Sequence, residues 1–170
     1  MEFEKVNIKD ISQKTTIKPE YMTKYLALLV FCSEVIQNIH WISKGSIYYG
    51  DHLLYERIYE SVSANIDEMA EKSVALSGDS SVNPHAICSL KSELYKKLIP
   101  NYTCELPQDE LAEYALFIMV CLLEKTNDLV EKLSEENMIT LGLEDFLPKI
   151  ASETENNIYL LKRRVKTSKK

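Results

Sequence analysis

Two of the chain's three histidines, His40 and His52, precede three acids, Glu56, Asp67 and Glu71, on a stretch with helical character. Residues four apart share a helix face, so His52 pairs with Glu56 and Asp67 pairs with Glu71. Imidazoles and carboxylates without a thiolate suit ferrous iron that must also be held as its ferric product, with zinc less apt. Glu56 and Asp67 lie almost a whole number of turns apart but roughly 16 Å along the axis, so no single metal ion can touch both pairs of one chain. Two half-sites follow. His40 lies across a reversal at Lys44, Gly45 and Ser46, close enough to join His52 and Glu56. If two copies pack these helices antiparallel about a two-fold axis, the His40, His52, Glu56 end of one meets the Asp67, Glu71 end of the other.

The rest of the chain offers few competing ligands. No Glu-x-x-His occurs, the apolar middle of the third helix has no ligand-type side chain, and His85 is expected in a loop. A di-iron centre built inside one bundle from its own helices is therefore excluded. Plainer readings exist for each residue taken singly. A lone helical histidine usually packs in a core or interface, Asp67 and Glu71 alone would read as a solvated face, and Trp41 next to His40 would read as interface packing. Five ligand-type residues at one consistent spacing favour the metal reading.

Helices are the elements that must hold these groups. Gly occurs four times and Pro five, and the β-branched residues do not alternate, so a turn-rich β protein is excluded. From Tyr21 to Ser43, Leu28, Leu29, Cys32, Val35, Ile36, Ile39 and Ile42 draw a wide apolar stripe along a first helix. Gly45 supplies its terminal turn and Ser46 is placed to cap a second helix, which runs to about Leu76 before SGDSSVNP breaks it. SLKSELYKKL is expected to make a few turns in a long connection. A third helix starts with Pro107, Asp109 and Glu110 and runs to about Leu133, acids favouring the positive end of its dipole. The fourth follows Gly142, with Leu147, Ile150, Thr154, Ile158 and Leu161 on one side and Pro148 in its early turns. The fold class is thus all-α, a four-helix bundle with a short extra helix between helices two and three. Residues 1–20 form an N-terminal extension, 21–161 the bundle and 162–170 a basic tail.

With 170 residues and 45% hydrophobic side chains, one core can be filled without staples. Cys32, Cys88, Cys104 and Cys121 form no CxxC pair and are read as reduced thiols. The opening MEFEKVNIKD lacks a signal-peptide apolar run, and the longest apolar run, Tyr114 to Leu123, is too short for a bilayer, so a cytoplasmic protein without a membrane segment is expected. The formal charge is -6, yet the last ten residues hold six of the 20 basic groups and no acid, leaving 14 basic against 26 acidic groups, a net of −12, in residues 1–160.

The segment HWISKG, then His52, Glu56, Asp67 and DEMAEKSVALSG, resembles the Dps family, DNA-binding proteins from starved cells or mini-ferritins, of ferritin-like fold. That pattern is His-Trp before a Lys-Gly turn, a second His, an acid four later, and Asp-x-x-x-Glu. Glu56 stands where Asp is usual and Lys72 where Arg is usual. The resemblance implies a hollow homo-dodecamer with ferroxidase centres shared across two-fold interfaces. In it, iron would be oxidised preferentially by hydrogen peroxide and stored as ferric mineral. It further implies that His40, His52 and Glu56 come from one subunit and Asp67 and Glu71 from its neighbour. Trp41 would be a sink for stray oxidising equivalents, and acids among Glu135, Glu136, Glu144 and Asp145 would line cation pores.

Binding to DNA is a separate question, because an acidic body repels phosphate. Lys162, Arg163, Arg164, Lys166, Lys169 and Lys170 would supply it through avidity over many copies, without sequence specificity. Equally, these residues could continue the fourth helix, their cations favoured at the negative end of its dipole. A rival from another class is a non-enzymatic shell or nucleoid-compaction protein that kept the fold and lost productive iron chemistry, a reading Glu56 leaves open.

Overall fold

The computed structural model of the chain describes residues 17–165. Its helices are α1 (Pro19–Ile42), α2 (Tyr48–Ser77), α3 (Pro84–Leu98), α4 (Gln108–Glu135) and α5 (Leu141–Arg164), with one 3-10 turn, Asp79–Val82, ahead of α3. No strand occurs among the described residues. The helices α1, α2, α4 and α5 form the bundle, while α3 lies in the α2-to-α4 crossover and packs on α1. The expected all-α bundle with its extra helix is what the chain builds.

Each bundle helix turns one apolar stripe inward. Met22, Leu29, Cys32, Ile36 and Ile39 of α1 meet Tyr55, Ile58, Val62 and Met69 of α2, all buried. From the other pair come Leu111, Ile118, Met119 and Leu122 of α4 with Phe146, Leu147, Ile150 and Leu161 of α5. Fully burying each such side chain contributes about 1.5–3 kcal/mol. Helix α1 is buried on several sides because α2, α3 and α4 all pack against it. It is long and apolar enough to cross a membrane by length and composition, but 67% of its most apolar window is buried inside the bundle. Its sequence is not an unbroken apolar run, because Thr23, Lys24 and Glu34 interrupt it.

Several polar groups inside the core are paired, although the buried Tyr55 hydroxyl has no hydrogen-bond partner among the described residues. Tyr25 and Thr126 hydroxyls sit 2.8 Å apart in buried surroundings, and Thr126 donates to the Leu122 carbonyl at 2.8 Å, so the tyrosine is the donor between them. Burial pushes the Tyr25 phenol well above its ordinary range, so it keeps that proton. Between α2 and α5, Asn65 Nδ2 donates to Glu153 Oε2 at 2.8 Å.

Several boundaries differ from the sequence reading. Ile17, assigned to the extension, is fully buried, and its N–H donates to the Leu76 carbonyl at 3.1 Å, so the packed structure begins before Tyr21. Ser46 does not cap α2: Ile47 holds the N-cap position with no side-chain cap, and the reversal is made by Gly45 at φ 89°. Gly142 lies inside the first turn of α5, whose cap is Thr140, its Oγ1 accepting from the Leu143 N–H. His85, expected in a loop, stands in the first turn of α3, where Asn83 Oδ1 accepts from the backbone N–H groups of His85 and Ala86. The C-terminal helix also runs past Leu161 to Arg164.

Arg164 shows why that last turn forms. Its guanidinium donates to both Asp51 carboxylate oxygens, at 2.6 and 2.9 Å, and to Asp109 Oδ1 at 3.0 Å. Asp51 lies in the first turn of α2, Asp109 in the first turn of α4 and Arg164 in the last turn of α5, each at the dipole end that favours its charge. The hydrogen bonds from Arg164 to Asp51 push its already high pKa further up, so the cation is permanent. Asp51 is 2% exposed, so removing its charge leaves Arg164 with the Asp109 carboxylate alone in a largely buried place. Asp51→Asn should lower unfolding stability by about 3 kcal/mol, as expected for breaking a buried pair from one side, measured by urea denaturation. A loss within experimental scatter would show that the pair is not a closure of the bundle.

Candidate metal half-site

The reversal between α1 and α2 brings the two histidines face to face. Their ring centroids are 3.8 Å apart with an interplanar angle of 23°, and His40 is buried while His52 is half-buried. His40 Nδ1 lies 2.9 Å from the His52 carbonyl oxygen, and His52 Nδ1 lies 3.3 Å from the His40 carbonyl oxygen. A carbonyl can only accept, so each Nδ1 carries a proton, and in the neutral imidazole each Nε2 then keeps its lone pair. Metal-binding histidines are commonly oriented in this way, by donating the other ring nitrogen's proton to a carbonyl.

The backbone around the pair is anchored. Lys44 N–H donates to Gln108 Oε1 at 3.0 Å, tying the reversal to the start of α4, and the Arg164 ion pair holds Asp51, the residue before His52. Ser43 Oγ donates to the Ile39 carbonyl at 2.8 Å, closing the end of α1.

Glu56 is half-buried one turn below His52, while Asp67 and Glu71 are exposed further along α2. Among the described residues none of the three has an ion-pair partner. The neighbouring acid Glu68 is neutralised instead, by Lys72 at 3.3 Å and Lys149 at 3.8 Å. Lys72 also lies over the Phe146 ring. Within one chain no group of three His, Cys, Asp or Glu side chains among the described residues could hold a metal ion. The fold thus brings His40 and His52 together and leaves Asp67 about 16 Å, and Glu71 about 22 Å, from Glu56 along the same helix.

Two residues beside the pair were missed in the sequence. The Tyr59 ring meets His40 edge-on at 5.3 Å and the Tyr48 ring is tilted against His52 at 4.9 Å. The signal was available, since Tyr48 and Tyr59 lie four before and seven after His52, on the same helical face. Trp41 makes no described ring contact with either histidine. It is 65% exposed and edges a hollow of about 510 Å³ with Asn38, Tyr95 and Tyr102. Ile47, Tyr48, Tyr49 and Leu53 are also exposed, which gives the end of the α1–α2 hairpin an uncovered apolar surface.

The basic tail needs a correction. Arg164 is held in the Asp51 and Asp109 ion pairs and is not free to meet phosphate, whereas Lys162 and Arg163 are exposed on the last turn of α5. Lys166, Lys169 and Lys170 lie outside the described residues. Of the acids near the turn into the last helix, Glu136 accepts from Lys18 at 2.9 Å and from Tyr21 at 2.8 Å, and these bonds hold its carboxyl down at about 2. Glu135, Glu144 and Asp145 are exposed.

Helix order, the long crossover and its extra helix define a ferritin-like four-helix bundle. No protein-family model matches the sequence, and no curated protein matches it significantly. Solved structures do match. Dps from Thermosynechococcus elongatus superposes with a TM-score of 0.74 at 20% identity, covering 88% of this chain and 90% of that one. An archaeal Dps homologue from Halobacterium salinarum gives 0.73 at 15% identity over 89% and 80% of the two chains. Mycobacterium smegmatis Dps gives 0.72 at 18% identity over 99% and 94%. The resemblance read from HWISKG and its acids therefore extends to the fold of almost the whole chain.

The single tryptophan reports on the exposed hairpin end. If a second chain covers it, the Trp41 emission maximum should shift to the red and iodide quenching should rise on dilution, as 65% exposure is reached only in a lone chain. Emission already typical of water and independent of concentration would mean that this surface stays bare.

Proposed function

We propose that the chain is a mini-ferritin that binds ferrous iron between paired subunits, oxidises it and stores the ferric product in a dodecameric shell. The observation that carries this reading is the reciprocal Nδ1-to-carbonyl bonding of His40 and His52, which leaves two Nε2 lone pairs oriented and unspent. Glu56, without a cation partner among the described residues, would complete the imidazole end. A second subunit packed antiparallel would bring its own Asp67 and Glu71 to that end, and the exposed apolar hairpin supports such an interface.

Iron is the substrate here. Two ferrous ions each give one electron to one hydrogen peroxide, whose O–O bond breaks to two hydroxides, so no hydroxyl radical is released. Carboxylates suit the hard ferric product, which explains a ligand set with more oxygen than nitrogen. Glu56 reaches one methylene further than Asp would and retunes that end of the site. Tyr48 and Tyr59, more than Trp41, are the aromatic rings in contact with the imidazoles.

Anaerobic ferrous loading, followed by stoichiometric peroxide or by air, tests the reading. Ferric absorbance should develop fast with peroxide and slowly with air, and His52→Ala should slow the peroxide reaction by roughly tenfold or more. If wild type tracks the variant and the buffer blank, the iron reading fails and a non-enzymatic shell remains.

A DNA-binding role would rest on Lys162 and Arg163 with Lys166, Lys169 and Lys170, without Arg164. Binding should then be sequence-independent. Its log affinity should fall against log salt with a slope of about −0.9 per phosphate contacted. A protein that does not retard duplex DNA at low salt would remove this role without touching the iron site. A cytoplasmic location follows from the same reading, with nucleoid association only if the tail engages DNA.

A further inference from the structure

Helix α3 packs on α1 alone of the bundle helices with which it makes extensive contact, and it stands off from α4. The gap is a groove of about 450 Å³, within the range of small-molecule sites. Leu90, Leu94 and Leu98, one turn apart, form the α3 wall, with Tyr25 and Leu28 on the floor and Leu129 on the α4 wall. Over the eight residue steps from Leu90 to Leu98 it runs about 12 Å along the helix. The lining is chiefly apolar, and no described side chain fills it.

The rim carries the opposite chemistry from the body. Lys24, Lys97, Lys125 and Lys132 line the groove with only two acids, Glu93 and Asp128, in a chain whose first 160 residues are strongly acidic. Lys125 is paired with Asp128 at 2.6 Å and Lys132 with Glu136 at 3.4 Å. Lys24 and Lys97 have no ion-pair partner among the described residues, and Glu93 is the rim acid without one. A long apolar trough edged by unpaired ammonium groups matches a ligand with one alkyl chain and one negative head.

We propose that the α1, α3, α4 groove binds a single-chain anionic amphiphile, a long-chain carboxylate, its alkyl chain along Leu90, Leu94 and Leu98 and its carboxylate at Lys24 or Lys97. An alkyl chain gains by removing the leucine wall from water, and one carboxylate gains from an ammonium that has no other partner. A neutral chain of the same length gains only the first. The site is independent of the iron chemistry, since it shares no residue with the histidine pair.

Titration calorimetry of the full chain with laurate below its micelle concentration, against dodecanol as the uncharged chain, tests this. Laurate should bind saturably with one site per chain, and dodecanol should bind roughly tenfold more weakly. Leu94→Glu, which puts a like charge into the wall, should weaken laurate by roughly tenfold or more. The double reversal Lys24→Glu with Lys97→Glu should weaken laurate to the level of dodecanol and leave dodecanol unchanged. These three positions are exposed or half-buried, and circular dichroism checks that the variants stay helical. Absence of saturable laurate binding overturns the proposal and leaves the groove to another segment of this chain or to a second copy. Equal binding of laurate and dodecanol, or of all variants, overturns it as well.

Discussion

The arrangement depends on one guanidinium. Arg164 joins the first turns of α2 and α4 to the last turn of α5, so three helix ends that would otherwise fray are held at one point. The cost of desolvating such charges is large, and it is offset here by a bidentate geometry to Asp51, a second carboxylate from Asp109 and three favourable helix-dipole positions. Helix-end closure of this kind matters more than its net energy suggests. It sits directly behind the reversal on which both histidines depend.

The histidine pair shows how position becomes chemistry. Stacked imidazoles with neither ring oriented would be a weak ligand pair, since each could present either nitrogen. Two backbone carbonyls, one from each partner's own residue, remove that freedom by accepting the Nδ1 protons. The His40 carbonyl is available because His40 lies in the last turn of α1, where carbonyls lose their helical donors, whereas the His52 carbonyl lies inside α2 and takes the His40 proton on its second lone pair. Tyr48 and Tyr59 then fix the ring planes. The histidine pair is thus organised by backbone geometry and aromatic packing, with the Glu56 carboxylate one turn away and in no ion pair among the described residues.

Surfaces of the molecule divide in the same physical terms. The hairpin end with Trp41, Tyr49 and Leu53 is apolar and uncovered in a lone chain, while the α1, α3, α4 groove is apolar with a cationic rim. The first suits the contact between like chains proposed above, since it adjoins the candidate histidine pair. The second is concave and lined by both alkyl side chains and ammonium groups, which suits a small amphiphile better than a protein face.

By itself the sequence determined the four amphipathic helices, the extra helix in the crossover and the split of ligand-type residues into two groups too far apart for one metal ion. Those features are set by period and spacing along a helix, which local geometry dictates. Helix ends were less legible. Ser46 was a reasonable cap and Gly142 a reasonable start, yet Gly45's left-handed turn and the Thr140 hydroxyl decide those ends because loop closure overrides cap preference. The tertiary structure alone decided that Arg164 is a structural cation, that Ile17 belongs to the core, and which nitrogen each histidine presents. Each of these depends on a partner dozens of residues away or on a carbonyl across a turn, and spacing along one chain carries no information about such contacts.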